Sequence, residues 1–424
     1  ALLALSLHSA AVAAAASCDR AAPADLAIRE ARAPGPDPGT FTIVISGDRI
    51  CAVERASETQ QSAVELDARG LTVLPGLIDA HVHMFPMGSR AGIDSDAELE
   101  RYVRDELPGR LQEYLQRGVT TLFSVGDAWP AIRDLRRRID AGDIAGPRLL
   151  ITGPILTAPG GYPATTICAD NAWCRSRLTV ELRDVGHARW TVRELAAGGV
   201  DAVKMVFDGA RGKKLDANLI RVVASEARAL GLPVVAHATR VDDALEVTEL
   251  GADILAHIPS DGTLDPAAAA ELARRGVAVL TTAGVYAPLT GSDGVRRTVF
   301  GLRYGPPFDH LYSRGLRNAR MLAVHGVRLA FGSGTPMFRP SQSLDGELAA
   351  LSGVLLTRSR LIDAMTIDAA RALHRESDLG SVEAGKRADL LLVGAEQFDS
   401  GGRSFSDVLV VIRDGRIVVD RRAD

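Results

Sequence analysis

The segment GLIDAHVHMFP, Gly76 to Pro86, is almost wholly apolar yet carries two histidines separated by one valine. Alternate residues of a strand point to one face, so His81 and His83 project together from the end of a buried strand. Two convergent imidazoles suit a metal better than a packed core, because neutral imidazole is a good ligand for zinc and similar ions. Other apolar runs end in, or carry, residues of the right type: Lys204 in DAVKMVF, His237 in VVAHA and His257 in ILAHI. One histidine at a strand end is more often a hydrogen-bonded core residue. Four at three strand ends, in a chain with only nine histidines, favour a metal site. Lys204 shares a strand face with Ala202 and Val206, where an unpaired ammonium is costly to bury. Two readings stay open for it. It faces outward and pairs with a helix, or carbon dioxide has carboxylated its amine into a group that can bridge two metal ions. A Schiff-base lysine would leave the four histidines unexplained.

The elements that must position these residues are legible as an alternation. Strand-like runs at 119–125, 148–154, 200–207, 233–238, 253–258, 277–282 and 327–333 follow the first, and amphipathic helical runs such as LIRVVASEARALG and PAAAAELARRG lie between them. Continuous apolar strands with helical crossovers imply a parallel sheet covered on both faces. Eight of them predict a (β/α)8 TIM barrel over residues 75–385, with its chemistry at the carboxyl ends of the strands. A doubly wound open sheet competes less well, since no glycine-rich phosphate loop follows the first strand. Short strands around tight Asp-Gly and Gly-Asp turns flank this region. They predict a small β-sandwich built from both chain ends, residues 24–74 plus 386–424.

The net charge of −4 over 424 residues offers no basic stripe for nucleic acid, and no internal run is long enough for a membrane span. Residues 1–18 are apolar and alanine-rich. They read as a secretory signal, either plainly cleaved or of the lipoprotein type with a lipid anchor on Cys18. The expected location is accordingly the periplasm or the cell envelope. Cys168 and Cys174, six residues apart, suit a local disulfide in an oxidising compartment better than a zinc knuckle. Cys51 reads as a small buried residue. His187, His310, His325 and His374 fall in loops or helices and suit surface or packing roles. Oligomeric state is not legible.

LPGLIDAHVH, GVTTLFSVGD, Lys204, VVAHA, ILAHI and the closing GSVEAGKRADLLLVG together resemble the metal-dependent amidohydrolase superfamily, especially its imidazolonepropionase-like and Xaa-Pro-dipeptidase-like members. The resemblance runs from about Leu26 to the carboxyl terminus. It implies one or two divalent ions, zinc first among them. His81, His83 and carboxylated Lys204 would hold one ion; Lys204, His237 and His257 would hold the other. It also implies hydrolysis of an amide C–N bond in a small molecule (a cyclic amide, an N-acyl amino acid or a dipeptide) by a hydroxide bridging the metals.

One position departs from that pattern. Family members end the eighth strand with an aspartate that binds metal and shuttles a proton, whereas this chain reads LAFGSGTPMF, with Gly334 in its place. Loss of a general acid–base group costs about 10² to 10⁴ in rate. Three outcomes stay open: a slow hydrolase; an inactive barrel that binds a small molecule or protein partner; or a substitute carboxylate such as Asp208, Asp261 or Asp345. Ser333 and Thr335 could hold a water there. Tyr162, in the glycine-rich TGPILTAPGGYP, and Tyr286, past the seventh strand, are candidates for binding substrate.

Overall fold

The computed structural model describes residues 23–34, 39–55, 61–86, 93–287, 289–290, 296–297, 309–334, 339–395 and 408–422. The signal-like segment with Cys18, and Thr335, lie outside the described residues. The chain divides into two compact units.

The first comprises Ala1–Ile78, Glu113–Thr120 and Met365–Asp424. Its core is aliphatic: Ile28, Ile43, Ile45, Leu66, Leu390, Leu392, Val410 and Ile412 are fully buried or nearly so. Each such side chain contributes about 1.5–3 kcal/mol when taken wholly out of water. Hydrogen bonding makes one eight-stranded sheet of what the sequence suggested as a sandwich. Its order is Arg416–Asp420, Val408–Arg413, Leu390–Gly394, Leu71–Pro75, Ala24–Arg32, Thr40–Ser46 and Arg49–Arg55, with Ser62–Asp67 also paired to Ala24–Arg32. Leu71–Pro75 causes the difference. It pairs with Leu390–Gly394 along its length and meets the amino-terminal strands at Arg32 and Thr72, so strands from both chain ends share one continuous ladder. Cys51 is disulfide-bonded, a correction to its reading as a simple buried residue.

The second unit comprises Asp79–Gln112 and Thr121–Ala364. Its strands are short, apolar and buried, as parallel strands covered on both faces should be. Ile155–Thr157, Thr179–Glu181, Val203–Val206, Val234–His237, Ile254–Leu255, Ala278–Leu280 and Arg328–Ala330 make a seven-stranded sheet in which every pairing is parallel. Leu77–Val82, Val119–Ser124 and Arg148–Ile151 make a second sheet of three strands. Helices alternate with the strands and begin on side-chain caps. Asp184 accepts from His187 N, and Asp265, followed by a proline, accepts from Ala268 N, both at 2.8 Å. The fold is TIM-barrel-like α/β, with its strands divided between two sheets rather than registered as one eight-stranded ring. Two bonds tie the last strand to the first: Ala80 N donates to Phe331 O and Gly334 N to His81 O, each at 2.8 Å. The Cys168–Cys174 disulfide forms as the spacing suggested. No described helix is long and apolar enough to cross a membrane.

Candidate active site

Strand alternation places Asp79, His81 and His83 on one face of Leu77–Val82 and its continuation, and parallel neighbours supply Lys204, His237 and His257. The four imidazoles adjoin in a row. Ring centroids are 5.4 Å apart for His83 and His81, 4.9 Å for His81 and His257, and 4.6 Å for His257 and His237. Gly332 makes the close approach possible, because a Cβ there would lie 2.6 Å from His81 Cβ. All five candidate ligands therefore lie in one unit, the histidines at or just past the carboxyl ends of its strands and Lys204 within Val203–Val206.

Hydrogen bonds fix part of the proton inventory. His83 Nδ1 lies 2.6 Å from Gly126 O, and a carbonyl only accepts, so Nδ1 carries the hydrogen and Nε2 keeps a lone pair. His257 Nδ1 lies 2.7 Å from Thr282 Oγ1. Neither nitrogen of His81 has a hydrogen-bond partner, although the residue is fully buried. His237 Nε2 lies 3.2 Å from Asp208 Oδ2, but off the line of a hydrogen bond. Burial depresses the pKa of all four rings, that of His83 and His237 to about 4 and that of His81 and His257 well below the ordinary range.

These shifts have a definite sign. The unfolded chain protonates its histidines near 6.5, whereas the folded protein keeps His83 and His237 neutral to about pH 4. Each ring thus supports folding fully above pH 6.5 and progressively less as the pH falls. For chelator-treated protein, His83→Gln is therefore expected to lose less stability than the native chain between pH 7 and 5, by on the order of 1–2 kcal/mol. Denaturant melts at the two pH values measure this, and equal losses would contradict it.

Lys204 is 3 % exposed, and no carboxylate pairs with it among the described residues. The outward-facing, helix-paired lysine is therefore not the one observed. Burial drives its pKa well below the ordinary range, which favours the neutral amine. Buried ring nitrogens without partners beside a neutral amine are the donor chemistry of a site for a borderline transition metal. No three His, Cys, Asp or Glu donors among the described residues converge on one point.

The other candidates separate clearly. Tyr162 stacks on His237, with centroids 4.9 Å apart and planes at 29°, and the Arg211 guanidinium sits 5.3 Å above the Tyr162 ring. Tyr286 is buried in the single 3-10 turn Ala283–Tyr286. Of the substitute carboxylates, Asp208 reaches the histidines and also accepts from Thr239 Oγ1 at 2.6 Å. Burial would raise its pKa, but His237, Thr239 and Arg211 outweigh this and hold it well below the usual range. Asp261 is half-exposed and lies 3.6 Å from Arg314, and Asp345 is exposed on the helix Pro340–Leu355. Ser333 points a buried, partnerless hydroxyl inward. Gly334 has φ +81°, and a Cβ there would lie 2.7 Å from Val285 Cγ2 and 3.0 Å from Thr282 Cβ. His187 stacks on Trp190, and His325 bonds Met321 O one turn back in its helix, which are packing roles.

Three fully buried carboxylates escaped the sequence reading. Asp79 accepts from Ser333 N at 2.9 Å and leaves Oδ2 without a partner. Asp127 accepts from Ser124 Oγ, Met84 N and Phe85 N at 2.6–3.1 Å, fixing the chain just past His83. Glu347 accepts from Thr281 Oγ1 and Gly284 N. Burial pushes each up to about 7, against the hydrogen bonds it accepts. Asp79 was findable, since a charged residue two positions before His81 in an apolar strand must share its face. Glu347, in mid-helix, gave no such signal.

Parallel strands with helical crossovers, with imidazoles and an amine gathered toward one side, define a TIM-barrel-like α/β scaffold. The chain belongs to the amidohydrolase family, whose model matches residues 72–418. It is 28 % identical over 424 residues to the imidazolonepropionase of Chloroflexus aggregans, covering 89 % of this chain and 90 % of that one. It is 21 % identical over 391 residues to the imidazolonepropionase of Thermoanaerobacter pseudethanolicus, covering 84 % of each. A prolidase solved with N-methylphosphonate-L-proline superposes with a TM-score of 0.77 at 22 % identity, over 93 % of this chain and 99 % of that one, which shows the shared fold. The protein is a hydrolase acting on carbon–nitrogen bonds, in a family that generally uses divalent metal ions.

Proposed function

We propose that the protein hydrolyses an amide of a small, carboxylate-bearing molecule, with one or two divalent ions held by His81, His83, Lys204, His237 and His257. The observation that carries this reading is the row of four adjoining imidazoles beside a buried lysine with no carboxylate partner among the described residues. When bound, such ions polarise a carbonyl and make a water acidic enough to attack it near neutral pH. The chain's own residues do the rest. His83 presents Nε2 because Gly126 O holds Nδ1–H. Burial favours the neutral amine of Lys204, the form that adds carbon dioxide with loss of a proton, giving the carboxylate that a donor set short of one acid requires. Asp208 stays ionised and steadies His237. So acidic a group is a poor proton acceptor, which makes it a positioning residue rather than a replacement for the absent strand-eight acid.

Substrate orientation falls to Tyr162 and Arg211. A guanidinium over an aromatic ring beside His237 suits a carboxylate on the substrate, since charge-assisted bonds contribute about 1.5–3 kcal/mol. Arg211→Leu is expected to raise KM about 10- to 100-fold more for N-acyl amino acids than for neutral cyclic amides. Equal losses for both substrate groups would refute the assignment. The hydrolase reading itself is tested by metal analysis of the purified protein together with a screen of N-acyl amino acids, dipeptides and cyclic amides. Protein with neither metal nor turnover would overturn it. Gly334 supports a second reading, a family member that binds such molecules without turning them over. In that case ligand binding would appear in calorimetry with no product formed.

A further inference from the structure

The room beside Gly334 is filled by the turn that follows Ala278–Leu280. Thr282 stands in the left-handed region, at φ 48° and ψ 30°. A β-branched residue is an outlier there, and such a conformation persists only when its surroundings hold it. The surroundings are visible. Thr282 N donates to Gly332 O at 3.1 Å. Glu347, fully buried on the helix Pro340–Leu355, accepts from Thr281 Oγ1 on one side of Thr282 and from Gly284 N on the other. The conformation brings Thr282 Oγ1 to 2.7 Å from His257 Nδ1. It also puts Thr282 Cβ and Val285 Cγ2 within about 3 Å of any Cβ at position 334.

We propose that Thr282, clamped by Glu347, is the positioning residue of His257, its hydroxyl accepting Nδ1–H so that Nε2 faces the other imidazoles, and that the same turn occupies the room a strand-eight carboxylate would need. The metal-binding part of this proposal rests on the reading of the site given above; the tautomer part does not.

The test compares Thr282→Val, which keeps the branch and removes the hydroxyl, with Thr282→Ser, which keeps the hydroxyl. Both are checked for folding by circular dichroism. In metal-free protein, long-range ¹H–¹⁵N spectra should show His257 as the Nδ1–H tautomer in the native chain and in Thr282→Ser, and as a mixture in Thr282→Val. Zinc affinity should fall about 10- to 100-fold in Thr282→Val and recover in Thr282→Ser. Glu347→Gln should move both readouts in the direction of the valine variant. An Nε2–H tautomer in the native protein, or a folded Thr282→Val that keeps the native tautomer, overturns the proposal. A serine variant as impaired as the valine variant also overturns it, because the methyl group rather than the hydroxyl would then be responsible. Unchanged Glu347→Gln overturns the clamp. Native protein that binds no zinc would refute the metal reading while the tautomer comparison still decides the positioning.

Discussion

Lys204→Met is expected to raise the stability of the metal-free protein while removing hydrolysis. Methionine matches the length of the lysine stem and carries no charge to desolvate. Lys204 is 3 % exposed with no carboxylate partner among the described residues, so the substitution removes a liability instead of breaking an ion pair. Replacing buried ionisable groups by apolar ones of similar volume is neutral or stabilising by about 1–4 kcal/mol. Activity should fall by more than the roughly 10- to 100-fold that losing an outer-shell partner of a metal ligand costs. The pH dependence adds a second check. The folded pKa is depressed and the unfolded lysine takes a proton below about 10.4, so the native chain gains stability as pH rises from 7 toward 10. Lys204→Met should lack that component. Denaturant melts at pH 7 and 9, run beside an amide-hydrolysis assay, measure both. A variant less stable than native at pH 7 would mean that Lys204 has a structural partner, and full activity would remove it from the site.

Gly334→Asp, the obvious repair of the strand-eight position, is expected to destabilise the protein by about 2–6 kcal/mol without raising turnover. Two costs add. An aspartate at φ +81° leaves the region its backbone prefers, and its Cβ would press on Val285 and Thr282. Strained backbone costs about 1–3 kcal/mol and overpacking a similar amount. Glu347 resists the one relaxation that would make room, because it fixes the turn on both sides of Thr282. Thermal melts and the amide screen, run on native and variant protein, are the measurement. A stable Gly334→Asp that hydrolyses amides faster than native would show that position 334 had simply lost its acid within an otherwise unchanged site.

The cluster of four histidines and Lys204 was legible in the sequence because strand membership depends on local periodicity. Alternation alone assigned His81 and His83 to one face, and the apolar runs around Lys204, His237 and His257 marked them as ends of buried strands. The same runs gave the parallel α/β architecture, and close spacing gave the Cys168–Cys174 disulfide. Long-range pairing lay beyond such reading. The ladder through Leu71–Pro75 that joins both chain ends into one sheet depends on a partner more than three hundred residues away. So does the character of the site itself. Asp79 meets Ser333 across 254 residues, and Glu347 reaches Thr281 across 66. Gly334 reads in the sequence as a missing acid and in the structure as the only residue type that spares Thr282 and Val285. The sequence by itself determined which groups can do chemistry, since residue type and strand period are local properties. Only the tertiary structure decided which nitrogens are free, which amine is neutral and which space is already filled, since burial and steric exclusion belong to neighbours that no local pattern specifies.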